Sequence, residues 1–128
     1  INIWYSALQT PEDYFWHGVG AGGNSEYLVP IYAEHDWDKF TERQYNAHNQ
    51  YIGELIDLGI FAAIFFILIW LLYPLWFKGR LRQFASLVVL TIALNMLTEN
   101  MLDRIEGVII TCVILVTTAL LARDQLAK

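Results

Sequence analysis

Residues 58–77 read LGIFAAIFFILIWLLYPLWF, and not one of them is charged. A helix of that length covers about 30 Å, the hydrocarbon thickness of a bilayer. The stretch therefore predicts a membrane span. Trp70, Tyr73, Trp76 and Phe77 crowd its far end, as an aromatic belt at a lipid boundary does. Pro74, near that end, is placed to kink or stop the helix.

Two further apolar runs follow. FASLVVLTIALNMLT occupies residues 84–98 and GVIITCVILVTTALLA residues 107–122. Each is short for a span. Extending the first through Met101 and Leu102 reaches the required length and brings Glu99 with it. The alternative is buried helices of a soluble protein, but a chain of 128 residues cannot enclose three such helices on every side. The loops give a direction. Lys78, Arg80 and Arg82 join the first run to the second, and Arg123 and Lys128 follow the third. Arg104 stands alone among acids in the remaining loop. Loops rich in Lys and Arg stay in the cytoplasm, so residues 1–57 and the turn near Arg104 are expected outside.

Composition divides the chain in the same place. Nine of the thirteen acids fall in residues 1–57, with only Lys39 and Arg43 as bases. The net charge of −5 argues against nucleic acid as a partner, because polyanions reward basic surfaces. Cys112 is the single cysteine and has no partner for an intrachain disulfide. With no initiating Met and no signal-peptide pattern, the chain reads as the carboxy-terminal piece of something longer.

The front region reads as helices and loops. INIWYSALQ puts Ile1, Trp4, Tyr5 and Leu8 on one helical face, and Thr10-Pro11 ends it. HGVGAGGN, residues 17–24, lacks the spacing and Lys-Ser/Thr ending of a phosphate-cradling loop, and reads as a tight turn where backbones pack closely. Pro30 is expected to interrupt a short helix in SEYLVPIYAEHDW. EHDWD, residues 34–38, brings Glu34, His35, Asp36 and Asp38 together and invites a metal reading, but neighbours on a helix diverge, so a solvated acidic turn is expected. His17 reads as a packed loop histidine.

Asn46 is the expected N-cap of the helix that runs on into the first span, with His48 in its first turn. Free N–H groups there favour an anion. His48 can then accept a proton from an incoming hydroxyl or donate one to a leaving phosphate, with Tyr51 and Ile52 on its face. Equally, it can cap the helix or anchor it at the interface. Glu99, Asp103 and Arg104 either line a polar cavity at the outer end of the second span or form a charged loop.

NAHNQYIGELIDLGIFAAIFF, residues 46–66, resembles the signature of the O-antigen ligase and polymerase family of bacterial inner membranes. The matching positions are His48, Asn49, Tyr51 and Gly59. INIWYSALQ with HGVGAGG is similar to the family's Ile-Trp helix and its Gly-x-Gly turn, here Gly18 and Gly20. LTENMLDRIEGVII resembles members at Glu99, Arg104 and Gly107. The Pro that usually precedes the glycine turn is absent, and His17 runs straight into Gly18.

The resemblance implies an all-α, polytopic membrane protein fragment. A periplasmic helical loop region at 1–57 is followed by transmembrane helices at 58–77, 84–102 and 107–122. Residues 78–83 and 123–128 are cytoplasmic, and 103–106 form a periplasmic turn. It implies a glycosyltransferase of the inner membrane. The donor is a polyprenyl-diphosphate-linked glycan, and the acceptor is a lipid A-core sugar in a ligase or another glycan repeat in a polymerase. His48 corresponds to the residue that activates the acceptor hydroxyl. Asn49, Tyr51, Glu99, Arg104, Gly18 and Gly20 correspond to substrate-binding positions. No metal or other cofactor is implied. Periplasmic arginines hold the diphosphate in the family, and one falls just before Ile1, so the fragment alone is expected to be inactive. Outside this resemblance, the same residues also suit a non-enzymatic membrane assembly or transport component. Of the front aromatics, Trp4, Tyr14, Trp16, Tyr27, Tyr32, Trp37 and Tyr45, most are expected at the headgroup layer and one or two against sugar rings.

Overall fold

The computed structural model describes residues 2–9 and 11–126. The expected places of Ile1, Thr10 and Lys128 lie outside the described residues. Among those described, the chain is all α, with no strand. Its helices are α1 (Asn2–Ala7), α2 (Asn24–Glu34), α3 (Asp38–Glu42), α4 (Gln50–Leu72), α5 (Gly79–Met96) and α6 (Ile105–Leu126). Short 3-10 turns occupy Pro11–Asp13, Tyr73–Trp76 and Met101–Asp103.

The front helices close on a core of Ala7, Tyr14, Leu28, Tyr32, Ala47 and Ile56. Leu28 and Tyr32 are one turn apart on α2 and meet the face of α4 that carries Ile56. The Tyr14 hydroxyl donates to the Ala7 carbonyl. Burial, then Tyr27 and Glu12, push its pKa up to about 12. The helix is not interrupted at Pro30, contrary to expectation. The carbonyl that Pro30 cannot serve belongs to Glu26, four residues back, and both residues are exposed, so water can satisfy it.

Inside α4 the helix breaks at Gly59, where φ is +81° and ψ 178°. Residues 15–20 fill the break with their own backbone. Val19 N–H donates to Ile56 O at 2.8 Å and Gly20 N–H to Asp57 O at 2.9 Å, while Ile60 N–H donates to Phe15 O at 2.7 Å. These bonds replace the helix bonds lost at the break. The approach is too close for side chains. A Cβ at Gly59 would stand 2.6 Å from Trp16 O, and one at Gly18 would overlap the Asp57 carbonyl. Asp57 completes the joint. Its carboxylate accepts from Gly22 N–H (3.1 Å), Asn24 N–H (2.7 Å) and Asn24 Nδ2 (3.0 Å), capping α2 from outside.

Among the described residues two helices, not three, are long and apolar enough to cross a membrane: the segment Gln50–Trp76 and the segment Ile105–Arg123. Only 28 % and 11 % of their most apolar stretches are buried in this chain, unlike the core helix of a soluble protein. The expected span at 84–102 is corrected at both ends. Its helix, α5, begins at Gly79 and so carries Arg80 and Arg82 in its first turns. It stops at Met96, where Leu97 N–H and Thr98 N–H turn back to Leu94 O and Asn95 O. Asn95 and Thr98 side chains also bond local carbonyls, which competes with helix continuation. The other two helices start earlier than their apolar runs suggest, at Gln50 and Ile105.

α5 nevertheless returns along α4. Tyr51 at the head of α4 donates to Ala93 O near the end of α5 at 3.1 Å. Tyr73 at its foot donates to Leu115 O of α6 at 3.0 Å. Trp70, Val89, Ile92 and Met96 form the core between the helices.

Gly59→Ala should lower the melting temperature of the purified protein in detergent well beyond Gly79→Ala. The latter leaves open space around the new Cβ and pays only the left-handed backbone cost of about 1–2 kcal/mol. Equal losses in the two variants would contradict the interlock. Tyr14 gives a pH signature. Its folded pKa of about 12 exceeds an unfolded value near 10, so its stabilising contribution is complete below the unfolded value. That contribution disappears as pH rises through the folded value, and phenolate absorbance should rise together with front-region unfolding.

Candidate functional site

The candidate residues His48, Asn49, Glu99 and Arg104 gather where α4 begins. Asn46 is not the N-cap. Asn49 is: its backbone is extended, and its side-chain oxygen accepts from Tyr51 N–H at 3.0 Å and Ile52 N–H at 3.1 Å. Asn46 acts one step earlier. Its side-chain oxygen accepts His48 N–H at 3.1 Å, across a residue pair in which His48 has φ +45°. Two successive Asn turns therefore set the entry, because a short amide side chain can imitate a backbone turn. His48 sits in the turn before the helix rather than in its first turn. The expected shared face with Tyr51 is lost, and the Tyr51 hydroxyl is committed to Ala93.

The loop after α5 is clasped onto this entry. Asn49 N–H donates to Asn100 Oδ1 at 2.7 Å, and Asn49 Nδ2 donates to Leu97 O at 3.0 Å. Asn100 Nδ2 and Asn46 Nδ2 both donate to Asp103 Oδ2, at 2.9 and 3.2 Å. Leu102 N–H reaches Gln50 Oε1 at 2.7 Å. Asn49, Gln50 and Asn100 are buried, and each has hydrogen-bond partners. Gly53 makes room for Asn100, whose Nδ2 lies 2.7 Å from where a Cβ would stand.

The clasp brings three ionisable groups together. Glu99 Oε2 lies 3.5 Å from His48 Nδ1 and 3.6 Å from Arg104 Nη2. The side chains are 31 % exposed at His48, 51 % at Glu99 and 66 % at Arg104. Exposed pairs like these add little stability, so their energy is free to be redirected to a ligand. Tyr45 packs edge-on against the imidazole, with ring centres 5.2 Å apart. His48 and Arg104 line a cleft of about 460 Å³ with Asn24, Ser25, Tyr45 and Asn46. With Nδ1 turned to a carboxylate, Nε2 is the nitrogen left for an incoming group.

The expected site residues therefore divide. His48, Glu99 and Arg104 converge. Asn49 and Tyr51 point inward and hold the scaffold. Gly18 and Gly20 belong to the α4 break, and the glycine that reaches the cleft is Gly22. Sequence reasoning missed Asp57, Gln50 and Asn100. Asp57 had one signal, as the last acid before the uncharged run; nothing local marks Asn100. At the α2–α3 turn, His35 Nδ1 lies 2.8 Å from Ile31 O, and among the described residues no three His, Cys, Asp or Glu side chains converge as metal ligands would. His17 is exposed rather than packed.

No family model, no curated protein and no solved structure matches this chain.

Asn49→Ala should cost about 0.5–2 kcal/mol, the usual loss for a cap, and speed amide exchange at Tyr51 and Ile52. Asn49→Asp keeps the capping oxygen but loses the donor to Leu97, so it should fall between. An Asn49→Ala protein with unchanged exchange at both amides would show that the cap is not holding the entry.

Proposed function

We propose that this chain belongs to an inner-membrane glycosyltransferase that moves a polyprenyl-diphosphate-linked glycan onto a lipid A-core sugar at the periplasmic face. The observation that carries the reading is the meeting of His48 and Arg104 on the Glu99 carboxylate, from segments about fifty residues apart in sequence, with His48 and Arg104 also lining one cleft. The setting supports it. The cleft lies at the head of α4, and Lys78, Arg80 and Arg82 follow its foot, which suits an outward site and a cytoplasmic loop. Phe61, Phe65, Leu87 and Val113 present apolar surface that lipid or further helices would cover.

In the transfer, the acceptor hydroxyl oxygen attacks the anomeric carbon of the donor. The bond from that carbon to the diphosphate oxygen breaks, and the diphosphate leaves on its lipid with the electron pair. The hydroxyl proton passes to His48 Nε2. Glu99 orients the imidazole and offsets the charge it gains, as a carboxylate beside histidine does in other acid–base sites. Arg104 can release Glu99 and pair with the diphosphate, since guanidinium binds phosphate oxygens in a two-pronged fashion.

In cells carrying the full-length protein, His48→Ala should reduce transfer by about 10²–10⁴-fold, the range for loss of a general base. Gel laddering of surface glycan reads this directly. Loss of all core-linked glycan indicates a ligase; loss of long chains with one repeat retained indicates a polymerase. Unchanged laddering at normal protein level removes the catalytic assignment.

A further inference from the structure

A second pocket, of about 400 Å³, lies between α2 and α3 and is lined by Asp36, Trp37, Asp38, Lys39 and Phe40. It shares no lining residue with the His48 cleft. Its aromatic wall is firmly built. Asp36 N–H donates to Ala33 O and Trp37 N–H to Tyr32 O, at 3.2 and 3.0 Å. This is the paired closure that ends many helices, with Asp36 at the left-handed position, φ +55°. Glycine is the usual occupant there, yet this chain carries a carboxylate. The closure lays Trp37 back on Tyr32 (6.3 Å between ring centres), with His35 at 4.9 Å and Phe40 edge-on at 5.9 Å. Trp37 is half-buried, and Tyr32 behind it is fully buried.

We propose that this pocket is a carbohydrate subsite, in which the Trp37 indole that lines it takes a neutral hexopyranose ring and Asp36 and Asp38 accept its hydroxyl hydrogens. A pyranose presents a face of weakly positive C–H bonds, matched to the negative face of an indole. Around that face it carries hydroxyl donors, matched to carboxylates that can only accept. Two carboxylates against the single ammonium of Lys39 disfavour an anionic sugar. The pocket volume falls within the range of small-ligand sites.

The pocket is also joined to the cleft. Ring contacts run from Trp37 to Phe40, from Phe40 to Tyr45 (5.5 Å) and from Tyr45 to His48 (5.2 Å). A glycan held at Trp37 is thereby anchored to the same aromatic spine that orients the imidazole. The inference deepens the glycan-transfer reading and takes its ligand class from it, but binding can be measured without transfer.

The test is calorimetric titration of the full chain, in a detergent without a sugar headgroup, with maltohexaose, trigalacturonic acid and pentalysine. Maltohexaose should bind saturably and trigalacturonic acid should not. Trp37→Ala should weaken maltohexaose several-fold, up to about tenfold, the contribution of one stacked aromatic face. Trp37→Phe should retain most of the affinity, and Asp38→Asn should lose part of it. Should Trp37→Ala fail to fold, the Phe and Asp38→Asn variants carry the comparison. Equal maltohexaose affinity in the parent and every Trp37 and Asp38 variant, absence of saturable binding, or Trp37-dependent binding of pentalysine alone would overturn the subsite. Trp37-dependent binding together with unchanged laddering in His48→Ala leaves the subsite and removes the transfer reading; the opposite pair of results removes the subsite only.

Discussion

The break at Gly59 is the constraint on which the arrangement depends. An unbroken α4 would hold its own carbonyls at Ile56 and Asp57, and residues 15–20 would have nowhere to dock. With the break, three backbone bonds tie the front region to the shaft of α4, and the Asp57 carboxylate starts α2 beside them. Each of the two segments supplies a glycine, Gly18 or Gly59, where it comes closest to the other's backbone. The direction of α2, the closure at Trp37 and the wall of the cleft at Asn24 and Ser25 all follow from it.

The polar side chains divide into those that hold and those that are left available. Asn49, Asn100, Gln50 and Asp103 spend their hydrogen-bonding capacity on one another and on backbone. They make a rigid base at the end of an otherwise apolar bundle, where an unsatisfied amide would be costly. Glu99 and Arg104 project from that base with solvent still around them. Such a pairing of a fixed frame with weakly committed charges suits a site that must exchange partners during a reaction.

The helical class and the strongest apolar segment were legible because they rest on long uninterrupted runs, which no local signal contradicts. The ends of those runs were not. Residues 97–102 look like a continuation of α5 by composition, yet Asn100 is needed by Asn49, and a helix through this stretch could not deliver it. The same distinction explains the entry to α4. Asn46 and Asn49 are both good caps by residue type, and the choice between them lies in the positive φ at His48, which sequence pattern does not encode. His48, Glu99 and Arg104 were legible as chemistry-bearing residues, but their convergence on one carboxylate oxygen depends on the clasp, a contact between segments far apart in the chain. Trp37 was one of seven front aromatics that the sequence left between the headgroup layer and sugar contact; its packing on Tyr32 comes from how α2 terminates.

Two tyrosine hydroxyls, of Tyr51 in α4 and of Tyr73 in the turn that follows it, have a mechanical consequence. Tyr51 grips α5 near one end of the shaft and Tyr73 grips α6 near the other. Lengthwise sliding of either neighbour would have to break its tie. A slip of one helical turn would carry a residue about 5.4 Å along the axis, farther than the gap between Glu99 and His48. The axial alignment of the rods therefore sets the height of the acid against the imidazole, and two half-buried phenols act as the locking pins.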